Sequence, residues 1–122
     1  MTPNPPPYVS RFSSAPDGLR LHLRDYGSPD DPGTPVVCIA GLTRNSVDFD
    51  PLARALAEGS AGGKRRRVVA LDYRGRGLSD WDPNWRNYDV KVENADILAQ
   101  LTAAGVHEAV IVGTSRGGIH AM

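Results

Sequence analysis

The sequence has a single cysteine, Cys38, in 122 residues. No disulfide can close within the chain, and so little cysteine use points to a reducing compartment, which we read as the cytoplasm. Long hydrophobic runs are also missing. None approaches the ~20 apolar residues that cross a bilayer, so no membrane partner is expected. Neither sign of charge dominates, with Lys+Arg and Asp+Glu both at 14. That balance gives no electrostatic reason to expect nucleic acid as a partner. Residues 1–7 lack an apolar stretch and hold four prolines. They read as a disordered proline-rich arm, not a signal peptide, with one domain over residues 8–122.

Within that domain the hydrophobic pattern changes character partway along. Residues 8–14 read as a strand, and Pro16-Asp17-Gly18 as a turn. In residues 19–26, Leu19, Leu21 and Leu23 alternate with Arg20, His22 and Arg24. A period of two marks a half-buried strand, and the short turn makes the pair a hairpin. From residue 36 the strands become continuously apolar: 36–40, 68–71 and 109–112. Such runs belong to strands covered on both faces. Between them lie two helical patterns. Phe49, Leu52, Ala53 and Leu56 share one face of the first, with Ser46 or Asp48 as cap and Gly59 as stop. Val90, Ile97, Leu98 and Leu101 share one side of the second, over 90–104, capped by Asp89 and stopped by Gly105. The order is an antiparallel hairpin followed by β-α-β-α-β, an α/β fold with parallel strands and crossover helices.

Three segments at strand ends carry the chemistry. Gly113-Thr114-Ser115-Arg116-Gly117 fits G-x-S-x-G between an apolar strand and a helix-compatible stretch. In that setting the serine occupies a strained turn that lifts its Oγ out of the sheet, and glycines two residues away on each side relieve crowding. Ala40-Gly41-Leu42-Thr43 follows the strand at 36–40, where a glycine permits a sharp turn beside the nucleophile. The N–H groups of Leu42 and Arg116 are then candidates for an oxyanion hole. Asp72-Tyr73-Arg74-Gly75-Arg76-Gly77-Leu78-Ser79 follows the next strand.

Together, residues 36–49, 72–79 and 113–118 resemble three successive signatures of the α/β-hydrolase superfamily, in order and spacing. The resemblance runs over nearly the whole chain from Tyr8. It implies the N-terminal part of an α/β-hydrolase fold, truncated after the nucleophile elbow. It further implies a serine hydrolase acting on a carboxylic ester or related acyl substrate, with Ser115 as nucleophile and no cofactor or metal. The acid and histidine of the triad are expected downstream, in that order. The 122 residues alone are therefore expected to be inactive; a second reading is a non-catalytic fragment, or one half of an assembly with a complementing C-terminal half. The chain departs from the usual pattern at Ala40, where many members have histidine, and at Arg116, where an apolar residue is common.

Other features have plainer readings. His22, His107 and His120 are not placed to serve as the triad base. Cys38 reads as a small buried hydrophobe. Residues 59–64 fail the phosphate-loop pattern, and 75–80 fail the dinucleotide pattern because Asp80 stands where the third glycine should be. Residues 64–67 are a basic run expected to be solvated. Asp72, Arg74 and Ser79 are expected to shape their turn. Trp81, Trp85 and Tyr88 are left open between the edge of the core and a pocket wall. In superfamily order the strand at 36–40 lies between the other two apolar strands, which places Gly41 beside Ser115.

Overall fold

The computed structural model describes residues 7–41, 44–59 and 63–122. The expected arm lies almost entirely outside these residues. Strand β1 (Tyr8–Ser14) and β2 (Arg20–Tyr26) form the hairpin, paired from Tyr8↔Tyr26 to Ser14↔Arg20. Its turn is closed by Gly18 N–H donating to Ala15 O at 2.8 Å, with Gly18 at φ 91°. Strands β3 (Val36–Ile39), β4 (Val68–Leu71) and β5 (Val110–Gly113) follow. The sheet order is β1-β2-β4-β3-β5. The β3 strand is parallel to both β4 and β5, and β2 is antiparallel to β4. The expected central position of β3 is therefore observed.

Every residue of β3 and β4 is buried, as their unbroken apolar runs require. Helix α1 (Asp50–Glu58) and α2 (Val90–Ala103) supply the layers. Tyr26 donates its hydroxyl to Asp50 of α1 at 2.6 Å, whereas Leu23 lines a cavity with Gln100 and Ala103 of α2. Residues 23 and 26 point to opposite faces of a strand, so the two helices cover opposite faces of the sheet. Helix α3 (Arg116–Ala121) follows β5. Among the described residues no helix is long and apolar enough to cross a membrane.

Several local expectations are corrected. The first helix is preceded by a 3₁₀ turn, Ser46–Phe49, capped by Asn45, whose side chain accepts from Val47 N–H. Ser46 is instead buried, and its N–H donates to Asp72. Gly59 does end α1, in the left-handed conformation at φ 75°. Asp89 caps α2 by accepting from Val92 N–H, as expected. Leu98, however, is exposed, and the buried face of α2 carries Glu93, Asp96, Ile97 and Gln100. Apolar periodicity could not show this, because the buried positions are mostly polar and each has a partner elsewhere. The outer face of β2 is likewise only partly solvated: Arg20 is exposed, but His22 is buried. The basic run also divides, with Arg67 buried and donating twice to Asp25, at 3.0 and 2.9 Å.

Candidate active site at the turn after β5

The parallel register brings the site together. Ile39 ends β3 level with Gly113, the last residue of β5. Thr114 N–H then donates to Ile39 O at 3.1 Å, continuing the ladder by one bond. The chain turns at Ser115, which sits at φ 54°, ψ −114°. Among the described residues Ser115 is the only non-glycine with positive φ. A serine in so sparsely populated a conformation costs about 1–3 kcal/mol and is held there by its surroundings.

Those surroundings explain the flanking glycines. A Cβ on Gly113 would collide with the carbonyl oxygen of Gly117 and lie 2.7 Å from Gly118 N. A Cβ on Gly117 would collide with the carbonyl oxygen of Ile39. The helix start is thus pressed onto the end of β3, and only hydrogen atoms fit between them. Gly41 lies alongside: a Cβ there would be 3.7 Å from Ser115 Cβ. The expected proximity of Gly41 and Ser115 is observed. Ser115 itself is exposed. Arg116 opens α3 with its N–H next to the serine in the chain, and Leu42, the other candidate donor, lies outside the described residues.

The Arg116 side chain serves the scaffold. Its Nε–H donates to Glu93 Oε1 at 2.6 Å, pinning the start of α3 to α2. Glu93 is also 3.2 Å from His120 Nε2, and the His120 ring lies 5.5 Å from that of Tyr73. Tyr73 donates its hydroxyl to Ala40 O at 2.7 Å, and burial pushes its pKa up to about 12. Tyr73 and Glu93 were missed by sequence reasoning. The only sequence signal for Tyr73 was its place within the 72–79 segment, and Glu93 had none.

The histidines are engaged elsewhere. His22 bonds Asp72 and Ser10, at 2.6 and 2.8 Å. His120 bonds Asn94 and Glu93. His107 is exposed in the loop before β5. Cys38 is fully buried, and desolvation pushes its thiol up to about 12, so it is a packing residue and no nucleophile at neutral pH.

The segment after β4 braces the site from the other side. Asp72 accepts from Ser46 N–H at 2.7 Å and Leu78 N–H at 3.3 Å. Ser79 Oγ donates to Asp72 O and accepts from His22 N–H, both at 2.9 Å. Arg74, 1% exposed, donates to Asp96, Asp82 and Asp17. Bonding to Asp96 comes first among the causes that hold its guanidinium charged. Trp81 and Trp85, by contrast, are 73% and 75% exposed and do not cover the core. Tyr88 packs on Gly75 and bonds both the N–H and the carbonyl of Asp82. Among the described residues no group of three or more His, Cys, Asp or Glu could hold a metal ion.

Comparison with known proteins agrees with this geometry. A family model described as the alpha/beta hydrolase fold matches residues 34–122. The 3-hydroxybutyrate-oligomer hydrolase of Cupriavidus necator is 35% identical over 109 residues, covering 88% of this chain and 35% of that protein. Epoxide hydrolase B of Mycobacterium tuberculosis is 31% identical over 100 residues, covering 82% of this chain and 27% of that protein. Among solved structures, an alpha/beta hydrolase from Novosphingobium aromaticivorans superposes with a TM-score of 0.81 at 36% identity, over 97% of this chain and 39% of the other. An esterase from Exiguobacterium antarcticum gives a TM-score of 0.79 at 30% identity, over 93% and 38%. The chain thus spans about a third of the length of these relatives. By its family match, its sheet order and the turn at Ser115, the chain belongs to the α/β-hydrolase fold family.

Proposed function

We propose that the protein carrying this chain is a serine hydrolase of carboxylic esters or related acyl compounds, with Ser115 as the nucleophile. The observation that carries the reading is the strained conformation of Ser115, between two glycines that admit no side chain and beside Gly41. Strain of this kind is retained where it presents a reacting group. The elbow holds a serine; an aspartate there would have pointed to epoxide or dehalogenase chemistry. Relatives described as an esterase and as an oligomer hydrolase support an acyl substrate.

In this reading Ser115 Oγ attacks the carbonyl carbon and its proton passes to a histidine outside these 122 residues, oriented by an acid. The developing oxyanion is taken by the N–H groups of Leu42 and Arg116. The leaving alcohol takes the proton from the histidine. Water, activated by the same base, then releases the acid and restores the serine. Neither a cofactor nor a metal takes part, and the substrate is a small molecule. We place the enzyme in the cytoplasm.

The experiment is hydrolysis of a short-chain p-nitrophenyl ester by the full-length protein and its Ser115→Ala variant. Loss of the base and nucleophile pair costs on the order of 10⁶ in kcat in a well-studied serine protease. A drop of at least 10³-fold with unchanged thermal stability is expected; turnover that survives the substitution overturns the assignment. The 122-residue chain alone, lacking an adjacent base for Ser115, is expected to show no turnover. If turnover returns when a separate C-terminal half is added, the two pieces act as an assembly.

A further inference from the structure

A second serine lies on a hydrogen-bonded line to a buried histidine and carboxylate, far from the elbow. His22, 1% exposed, sits on β2 with Nδ1 2.6 Å from Asp72 Oδ2 and Nε2 2.8 Å from Ser10 Oγ. Asp72 also accepts the N–H groups of Ser46 and Leu78. A carboxylate already taking two backbone donors acts as acceptor toward the ring as well, which assigns the proton to Nδ1. Nε2 then carries the lone pair and accepts from the Ser10 hydroxyl. This is the connectivity of a nucleophile, a base and an orienting acid.

Strand register puts the rest of a site around it. Ser10 is the direct partner of Arg24, and Phe12 of His22. In an antiparallel pair these four side chains project from one face. Asp50 pairs with Arg24 at 3.3 Å, and the Arg24 guanidinium lies 4.1 Å from the centroid of the Tyr8 ring. A cavity of about 240 Å³ opens over this face, lined by Ser10, His22 and Arg24 together with Asn45, Val47 and Leu78. Ser10 is exposed while its partners His22 and Asp72 are buried. The hydroxyl is thus open to a reagent, and the groups that would activate it are shielded from water. Three strands, β2, β4 and β3, lie between β1 and β5, so this serine does not share the elbow.

We propose that Ser10, His22 and Asp72 form a second reactive-serine site, which accepts an acyl group from a small activated ester. Ser10 Oγ bonds to the acyl carbon as its proton moves to His22 Nε2. The C–O bond to the phenolate breaks, and the electron pair leaves with that oxygen. The proton on Nε2 then passes to solvent or to the phenolate. Arg24 supplies a guanidinium on the same wall toward which the anionic carbonyl oxygen can turn. The product is a chain with one acyl group on Ser10.

The test uses the full-length protein with Ser115→Ala, so that the elbow serine cannot contribute. The folded protein is treated briefly with p-nitrophenyl acetate, and acetylated serines are mapped by peptide mass spectrometry. Ser14 is the internal control: it lies on the same strand and the same face, is exposed, and pairs with Arg20 instead of with a position beside a buried histidine. Ser10 is expected to be acetylated at least tenfold faster than Ser14, with the difference abolished in urea. His22→Gln is expected to slow Ser10 by about 10²-fold or more, the scale of a lost general base. Should His22→Gln fail to fold, Ser10→Cys and Ser14→Cys are compared for alkylation by iodoacetamide, with faster reaction expected at position 10. Equal labelling of Ser10 and Ser14, no label on Ser10, equal alkylation of the two cysteine variants, or full labelling of Ser10 in a folded His22→Gln protein each overturn the proposal.

Discussion

The hydroxyl of Tyr73 is bonded to the carbonyl oxygen of Ala40 at 2.7 Å. Ala40 precedes Gly41, so this one bond from the turn after β4 anchors the peptide that leads into the glycine beside Ser115. Tyr73→Phe leaves a buried carbonyl unpaired, at a cost of about 1–3 kcal/mol. In the full-length enzyme we expect kcat to fall several-fold and KM to change little, because the loop carries a transition-state donor in the proposed mechanism. Steady-state kinetics and a urea titration separate the two effects. An unchanged kcat would mean that the bond serves stability alone.

The adjacent glycines of helix α3 should respond in opposite ways to the same methyl group. On Gly117 it collides with Ile39 O, whereas on Gly118 it meets Gly113 O at 3.8 Å, an ordinary contact. Gly117→Ala is expected to destabilise by more than ~3 kcal/mol, the cost of overpacking at its upper end. Gly118→Ala, within the helix, is expected to be neutral or to stabilise by about 0.5–1 kcal/mol. Chemical denaturation of the two variants checks the contrast, and comparable losses would mean that the helix does not lie on β3 as described.

Strain at Ser115 also has a measurable sign. Glycine tolerates φ 54° where serine does not, so Ser115→Gly should raise stability by about 1 kcal/mol while abolishing turnover. Ser115→Ala keeps the strain and should leave the melting temperature near that of the parent. A lower melting temperature for Ser115→Gly would contradict a strained elbow.

Acid should loosen the Arg74 cluster. Hydrogen bonding to Arg74 holds the Asp17 carboxyl below its ordinary value of 3.8, and bonds from Asn84 N–H and Asn87 do the same for Asp82. A folded-state value below the unfolded one stabilises fully above the unfolded value and is lost as pH falls through the folded one. Stability should therefore decline below about pH 4. Arg74→Met should make the protein markedly less stable at pH 7, by about 3–5 kcal/mol, because Asp96 and Asp82 stay buried without their cation. The penalty in the variant should also shrink as pH falls, because protonating a buried carboxylate that has lost its cation removes the uncompensated charge. Denaturation midpoints at pH 7 and pH 3.5 for both proteins provide the comparison.

The parts of this structure that follow backbone periodicity were legible in the sequence. Val36–Ile39 and Val68–Leu71 are apolar at every position and became the two fully buried strands. Gly113, Ser115 and Gly117 announced the elbow because its backbone demands are met by particular residue types at particular spacings. What stayed hidden was polar burial. Glu93 and Asp96 look like the solvent side of a helix, and only a folded chain reveals that Arg116 and Arg74 wait for them. His22 read as an outward residue of an alternating strand for the same reason. Leu98 misled in the opposite direction, since an apolar residue at helical spacing was assigned to the core and is exposed. Pairing across 22 or 23 residues leaves no periodic trace for a sequence to show.

The position of β4 has a consequence for synthesis on the ribosome. Although made fourth, it lies between β2 and β3. Until it emerges, the hairpin and β3 have no common neighbour, and the nascent chain carries two unconnected pieces of sheet. Both flanks of β3 stay open at that stage, since its other partner, β5, is translated later still. The most apolar segment of the early chain therefore keeps both flanks unpaired until residues 68–71 are made, and one flank until residues 110–113 are made. Synonymous codons that slow elongation between β3 and β4 would lengthen that exposure, and those that speed it would shorten it.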